Sequence, residues 1–183
     1  MKLDDKTIKS FHKGDQLRNE KKFEKAIIIY SKILEKYPKL LPAYNNIGLS
    51  YAEQNNFDMA EKNFLICLKL EPNNLAPINN LAKLYFKNKK HKKAIPFYQK
   101  SLTFKSDQPL IAELYAEALL DLNLIGETNH FCEQAIKRYP ENKIIQFCYG
   151  KNLLKLNKHE KGLGIIKKAT GIIEFKENSF EIR

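Results

Sequence analysis

Small residues recur along this chain at one fixed interval. Ala26, Ala60 and Ala94 lie 34 residues apart, and the same step leads to Thr128 and Gly162, which are also small. Apolar residues, mostly aromatic, keep this interval four positions further on, at Tyr30, Phe64, Tyr98, Cys132 and Ile166. A period of this length is typical of one supersecondary unit that is stacked several times. The period therefore predicts a repeat protein and favours binding over catalysis.

Each unit has the pattern of two helices joined by a short polar turn. In the second unit, Gly48 and Tyr51 are three residues apart and share one helical face. The turn at Asn55 follows, and Ala60 and Phe64 then mark a second helix that can pack closely where its side chain is small. The residue before a proline avoids the α region, so the second helix is expected to end before Pro38, Pro72 and Pro140.

The second unit holds acceptable residue types at all eight signature positions of a known repeat, namely Tyr44, Ile47, Gly48, Tyr51, Ala60, Phe64, Cys67 and Pro72. The chain thus resembles the tetratricopeptide repeat (TPR) family. The resemblance implies an all-α, right-handed α-solenoid of five helix-turn-helix repeats in a single domain, 1–183. The repeats are predicted at about 7–40, 41–74, 75–108, 109–142 and 143–176, with a C-terminal tail at 177–183.

Two segments depart from the helical pattern. Pro96 falls within a predicted second helix, where it removes a backbone hydrogen bond and is expected to kink the helix, less so if the helix begins late, near His91. The residues after Gly171 mix β-branched and aromatic side chains without a helical period. They are expected to fold back over the last helix as an extended cap, or to pair with a partner or with a downstream domain.

The resemblance also implies a concave groove lined by the first helix of each repeat. The candidate peptide-binding residues on this surface are Asn45, Asn46, Asn79, Asn80, Lys83 and Lys87. A carboxamide offers both a donor and an acceptor, so stacked asparagines can pair with an extended peptide backbone. The alternative is composition alone, since Asn-Asn pairs also occur in the turns of this chain.

A second binding mode of the family, the carboxylate clamp, grips an acidic C-terminus with lysine, asparagine and arginine. Of its five positions only Asn46 matches here, and Asp15 has the wrong charge for one of the others. The sequence therefore disfavours this mode.

The chain carries a net charge of +11. A candidate basic patch, Lys89, Lys90, Lys92 and Lys93, falls in the turn of the third unit. A reader of single-stranded nucleic acid also needs interleaved aromatic residues, and Phe86 is followed by none before Phe97. The patch therefore favours an acidic protein partner or simple solubility over nucleic acid.

The fourth unit reverses the sign of this charge. Glu113, Glu117 and Asp121 are four residues apart and lie on one helical face. Phe147, Lys151 and Lys155 hold the corresponding places in the fifth unit. We expect the acidic and basic rows to pair across the repeat interface, in preference to forming a patch that selects partners.

Catalysis finds little support in the sequence. The four histidines are dispersed, no glycine-rich phosphate loop is present, and no residues have the spacing of metal ligands. The three cysteines are an odd number and form no disulfide framework, and Cys67 and Cys132 occupy helix-packing positions. The sequence therefore predicts no catalytic residue, no metal and no cofactor.

No apolar run reaches the length of a membrane span and the N-terminus shows no signal region, so we expect a cytoplasmic protein. The predicted function is a non-catalytic scaffold or adaptor that binds an extended peptide or protein segment. One alternative is the substrate-recruiting module of a transferase-type enzyme system. A basic nucleic-acid accessory protein is a weaker alternative.

Overall fold

The computed structural model describes residues 3–171, 173–176 and 179–182. Ten helices form five helix-turn-helix pairs in this part of the chain. The first helices of the pairs are α1 (Asp5–Asn19), α3 (Leu41–Glu53), α5 (Leu75–Lys87), α7 (Pro109–Asp121) and α9 (Lys143–Lys155). The second helices are α2 (Phe23–Lys36), α4 (Phe57–Leu70), α6 (His91–Phe104), α8 (Ile125–Arg138) and α10 (His159–Thr170). The predicted all-α architecture of five helical repeats is confirmed.

The helices belong to two compact units, Met1–Asn88 and Lys89–Arg183. In the first unit, α1 to α5 pack in chain order, and α3 also contacts both α1 and α5. In the second unit, α6 to α10 pack in chain order, and α7 also contacts α9. Within each unit, the first helices of adjacent repeats therefore lie side by side and present one shared face.

The turn within each repeat has the same backbone geometry. Three residues separate the two helices, and the middle one has a positive φ of 53–59° in all five repeats, at Lys21, Asn55, Lys89, Asn123 and Asn157. In the first, second, fourth and fifth repeats the next residue donates its N–H back into the first helix, as Asn56 does to the carbonyl of Tyr51 at 2.9 Å. This bond closes a Schellman motif, which satisfies carbonyls that the helix end would leave unpaired.

The residues of the 34-residue register form the core. Ala26, Ala60 and Ala94 are fully buried, as are the rings of Tyr30 and Tyr98. A Cβ atom added at Gly48 would lie 2.6 Å from the ring of Phe64, so the helices meet there without room for a side chain. The repeat thus depends on a small residue facing a large one.

The chain leaves the helical pattern after Thr170. Gly171 ends α10 with a φ of 69°, and its N–H bonds to the carbonyl of Lys167 at 2.8 Å. Strands β1 (Ile173–Lys176) and β2 (Ser179–Ile182) then pair antiparallel, and β1 contacts α10. The sequence pattern predicted an extended segment here but not a hairpin.

The helix α6 begins at His91, as the proline in its interior suggested, and continues through Pro96 in its second turn. None of the described helices is both long and apolar enough to cross a membrane.

Candidate functional site

The adjacent first helices of the first unit place the predicted groove residues on one face. Asn45 and Asn46 lie on α3, and Asn79, Asn80, Lys83 and Lys87 lie on α5. All four asparagines are half-buried, whereas both lysines are exposed. We call this surface, together with Asp15 and Arg18 of α1, the amide face.

The amide of Asn46 is held by a polar cluster that joins the first two repeats. Its Nδ2 donates to Oδ1 of Asp15 at 2.8 Å and lies 3.4 Å from the hydroxyl of Tyr30. The Tyr30 hydroxyl also donates to Oδ1 of Asp15, at 2.6 Å. Burial and the neighbouring Asp15 carboxylate raise the pKa of Tyr30 to about 12, so this hydroxyl keeps its proton. The cluster fixes the orientation of Asn46.

Arg18 lies beside the same Tyr30 hydroxyl, and its side chain offsets a small part of the rise in the pKa of Tyr30. Its Nε atom is buried and has no hydrogen-bond partner among the described residues. A buried donor without an acceptor is costly, so a ligand carbonyl or carboxylate at this place would be stabilised. The candidate residues predicted from the sequence do not include Arg18, and the sequence pattern predicted only a packing role for Tyr30, because the spacing of residues carries no signal for a hydroxyl group.

The second amide contact joins the second and third repeats. Nδ2 of Asn80 donates to Oδ1 of Asn45 at 2.8 Å. Asn46 and Asn80 therefore each make one amide contact with a neighbouring repeat. An asparagine has two N–H donors and an acceptor oxygen, so Asn46 and Asn80 each retain hydrogen-bonding capacity beyond these contacts.

Lys83 and Lys87 border a small depression of about 140 Å³ on the amide face. Its apolar lining comes from Leu49, Phe64 and Leu84. Nζ of Lys87 lies 3.4 Å from the carbonyl oxygen of Ala52 near the end of α3. The depression thus combines an apolar floor with a rim that carries two lysines and the carboxylate of Glu53.

The predicted basic patch belongs to the second unit. Lys89, Lys90, Lys92 and Lys93 are all exposed and line an open depression with His91 and Leu122. Nε2 of His91 lies 3.4 Å from Oδ2 of Asp121. One of the three carboxylates in the acidic row of α7 thus lies beside this surface.

The expected pairing of that acidic row with the basic row of α9 is wrong. Nζ of Lys151 lies 4.8 Å from the centre of the Phe147 ring, and Nζ of Lys155 donates to Oδ1 of Asn123 at 2.9 Å. No ion pair joins either lysine to Glu113 or Glu117 within the described residues. Burial, then Asp121 and Glu113, raise the pKa of Glu117, whereas His91 lowers it.

The cysteines are unsuited to nucleophilic chemistry. All three are free and buried. Burial raises the pKa of the Cys67 thiol to about 11 and that of Cys132 and Cys148 to about 12. Among the described residues, no group of His, Cys, Asp and Glu side chains could hold a metal ion.

Paired antiparallel helices repeated at a period of 34 residues define a helical-repeat protein. Family models described as tetratricopeptide repeats match residues 10–39, 42–74 and 77–108, which together exceed half of the chain. The chain belongs to the tetratricopeptide repeat family.

Solved structures of the same fold resemble the chain over most of its length. YrrB, described as a TPR protein with an unusual peptide-binding site, aligns with a TM-score of 0.78 at 18% identity and covers 88% of this chain and 84% of its own. MamA of Desulfovibrio magneticus RS-1 aligns with a TM-score of 0.83 at 15% identity and covers 93% of this chain and 96% of its own. A MamA RS-1 double mutant reaches 0.84 at 15% identity with the same coverage.

One curated relative matches a shorter stretch. The UDP-N-acetylglucosamine–peptide N-acetylglucosaminyltransferase of Giardia intestinalis is 33% identical over 64 residues, which are 35% of this chain. The matched stretch spans 4% of the length of that relative.

Proposed function

We propose that this protein is a non-catalytic scaffold that holds an extended peptide or protein segment against the amide face of its first unit. The observation that carries the proposal is the pair of oriented carboxamides on adjacent first helices. Asn46 is fixed by Asp15, and Asn80 is fixed by Asn45, each at 2.8 Å. Because these side chains are already ordered, a ligand that binds them loses less conformational entropy.

The remaining hydrogen-bonding groups match those of a peptide backbone. The second N–H of each carboxamide can donate to peptide carbonyls. The Nε of Arg18 could do so only after its side chain moves, since this atom is buried. The carboxamide oxygens can accept from peptide N–H groups. Such contacts are independent of the peptide side chains, so the depression beside Lys83 and Lys87 is the place where a side chain would be selected. Its apolar floor favours an apolar residue, and its rim, with two lysines and the single carboxylate of Glu53, favours an acidic residue next to it.

The basic patch of the second unit supports an acidic partner in a different way. Four exposed lysines attract a negatively charged protein before any close contact forms, which raises the association rate. The proposal therefore assigns Lys89, Lys90, Lys92 and Lys93 to the encounter with the partner and the amide face to its retention.

The test is a pull-down with the purified chain at moderate salt, compared with the variant Asn46→Ala/Asn80→Ala. We expect the partners to be lost from the variant. The variant Asn73→Ala, which removes an exposed carboxamide from the segment between α4 and α5, is the matched control and should retain them.

Asn46 and Asn80 also join repeats, so thermal unfolding of each variant must show that it is folded at the temperature of the pull-down. A third variant, Arg18→Met, removes the unpaired donor while keeping most of the apolar stem. Partners that remain bound to a folded Asn46→Ala/Asn80→Ala protein would refute the proposal.

The match to the Giardia transferase favours a second candidate, in which the chain recruits substrates for a transferase-type catalytic domain. This candidate predicts that a catalytic protein co-purifies with the native protein and that the chain binds that enzyme's protein substrates. Purification of the native protein without any transferase activity would count against it.

A further inference from the structure

The end of the first unit that begins with α1 carries a depression of about 390 Å³. Helix α1 lines it with Lys6, Thr7, Ser10 and Lys13, and helix α2 lines it with Ile29, Lys32, Ile33 and Lys36. We call this surface the end face. It contains none of the residues of the amide face.

An internal repeat shows which kind of structural element packs against the face that corresponds to the end face. In the fourth repeat, three periods further on, the residues that correspond to Ser10, Ile29 and Ile33 are Ala112, Phe131 and Ala135. They line a depression that is walled on one side by Leu102 and Ser106, at the end of the preceding second helix and just after it. Tyr115, which corresponds to Lys13, packs on Tyr98 of that helix with ring centres 5.7 Å apart. The place beside a first helix is therefore the seat of another helix.

The charge of the end face differs from that of the internal seat. Among the described residues, four lysines and one carboxylate line it, and that carboxylate, Asp4, is engaged at 2.6 Å with Lys36 and at 2.7 Å with the hydroxyl of Tyr37. Lys6, Lys13 and Lys32 form no ion pair among the described residues. Surfaces that serve solubility alone mix both signs of charge, whereas this cluster of one sign repels itself.

We propose that the end face binds an acidic α-helix of a partner protein, seated as a preceding second helix would be. Apolar residues of that helix would contact Ile29 and the edge of Ile33, and its carboxylates would pair with Lys6, Lys13 and Lys32. The repeat geometry determines that the occupant is helical, and the lysines determine the sign of its charge. This site is separate from the amide face, so either proposal can fail without the other.

The probe is a fluorescently labelled 16-residue peptide that places leucine on one face of a helix and glutamate on the two flanking faces. A peptide with the same residues in scrambled order keeps the charge and removes the apolar face. Fluorescence anisotropy is measured with the full chain. We expect the helical peptide to bind and the scrambled peptide to bind at least about tenfold more weakly, since apolar burial requires the helical arrangement.

The variant Lys13→Glu/Lys32→Glu should weaken binding of the helical peptide at least about tenfold, because two attractive contacts become repulsive. The control Lys62→Glu/Lys69→Glu makes the same change of net charge at exposed residues of α4 and should bind as the unaltered chain does. Lys32→Gln serves as a milder variant if the double reversal alters the thermal unfolding. The variant Asn46→Ala/Asn80→Ala should retain the helical peptide.

Equal loss of binding in the two charge-reversal variants would overturn the proposal, because it would show only an effect of net charge. Absence of binding at millimolar chain, or equal binding of the scrambled peptide, would also overturn it. Two other occupants are tested separately, by light scattering for a dimer and by co-sedimentation with vesicles of anionic lipid. A dimer or a vesicle complex that the Lys13→Glu/Lys32→Glu variant abolishes would reassign the end face and refute the partner helix.

Discussion

The close contact between α9 and α10 predicts opposite effects for two identical substitutions in one helix. A Cβ atom added at Gly162 would lie 2.9 Å from the carbonyl oxygen of Gly150 and 2.9 Å from Cδ2 of Leu154. The first of these atoms is helical backbone and cannot rotate away. A Cβ atom added at Gly164, two residues further on, meets no atom within 4 Å.

Two terms decide the sign at each position. Replacing glycine with alanine inside a helix stabilises it by about 1 kcal/mol. Overpacking a closely packed contact costs about 1–3 kcal/mol, and a backbone neighbour places Gly162 at the upper end of that range. We therefore expect Gly162→Ala to lower the free energy of unfolding by about 1–2 kcal/mol. Gly164→Ala should raise it by about 0.5–1 kcal/mol.

Urea unfolding followed by circular dichroism at the helical band tests both variants. With a slope of about 1–3 kcal/mol per molar urea, the midpoint of Gly162→Ala should fall by about 0.5–1 M and that of Gly164→Ala should rise by a few tenths. A Gly162→Ala protein as stable as the unaltered chain would refute the reasoning, since it would show that α9 and α10 separate at no cost.

Three further predictions concern stability and reactivity. Glu117→Gln should raise the melting temperature at pH 7, because the raised pKa of Glu117 means that the folded state disfavours its charged form, and glutamine removes that charge. The gain should vanish as the pH falls below the ordinary value of 4.5, where both states are protonated, and a gain that persists at pH 3 would contradict this. Lys21→Gly should raise the free energy of unfolding, measured by urea titration, by about 1 kcal/mol. Lys21 has a φ of 59°, and left-handed backbone costs an L-residue about 1–2 kcal/mol. The control Lys22→Gly, one residue later, should give no such gain. The thiols of Cys67, Cys132 and Cys148 are buried, so they should react with a disulfide reagent only in denaturant. Rapid modification of the native chain would contradict their burial.

The repeat architecture could be predicted from the sequence because it depends on short-range spacing. Ala60 and Phe64 recur one period later as Ala94 and Tyr98, and this spacing sets which faces of the two helices are apolar. The same register predicts the turn, although not its geometry. Asparagine favours a positive φ, as Asn55 has. Lys21 and Lys89 adopt a positive φ as well, and their sequence does not predict it, since lysine has no preference for that conformation.

The candidate site was predicted only in part. The sequence placed Asn46 and Asn80 on one face but could not show that Asp15 and Asn45 already bond to their amides. Those contacts join residues 31 and 35 positions apart, and they depend on the displacement between neighbouring first helices. The expected ion pairs of Lys151 failed for a similar reason, because its ammonium group lies over the ring of Phe147 instead.

The sequence by itself determined that this protein is a series of helical repeats, because periodic burial of small and large residues needs only local geometry and adjacent units. The tertiary structure alone decided which polar groups keep binding capacity. It pairs Asn46 with Asp15, gives Nε of Arg18 no acceptor among the described residues, and exposes Lys13 where an internal repeat buries Tyr115. Hydrogen bonds and ion pairs form over a few ångströms, so they depend on how repeats are displaced against one another, which the spacing of residues does not record.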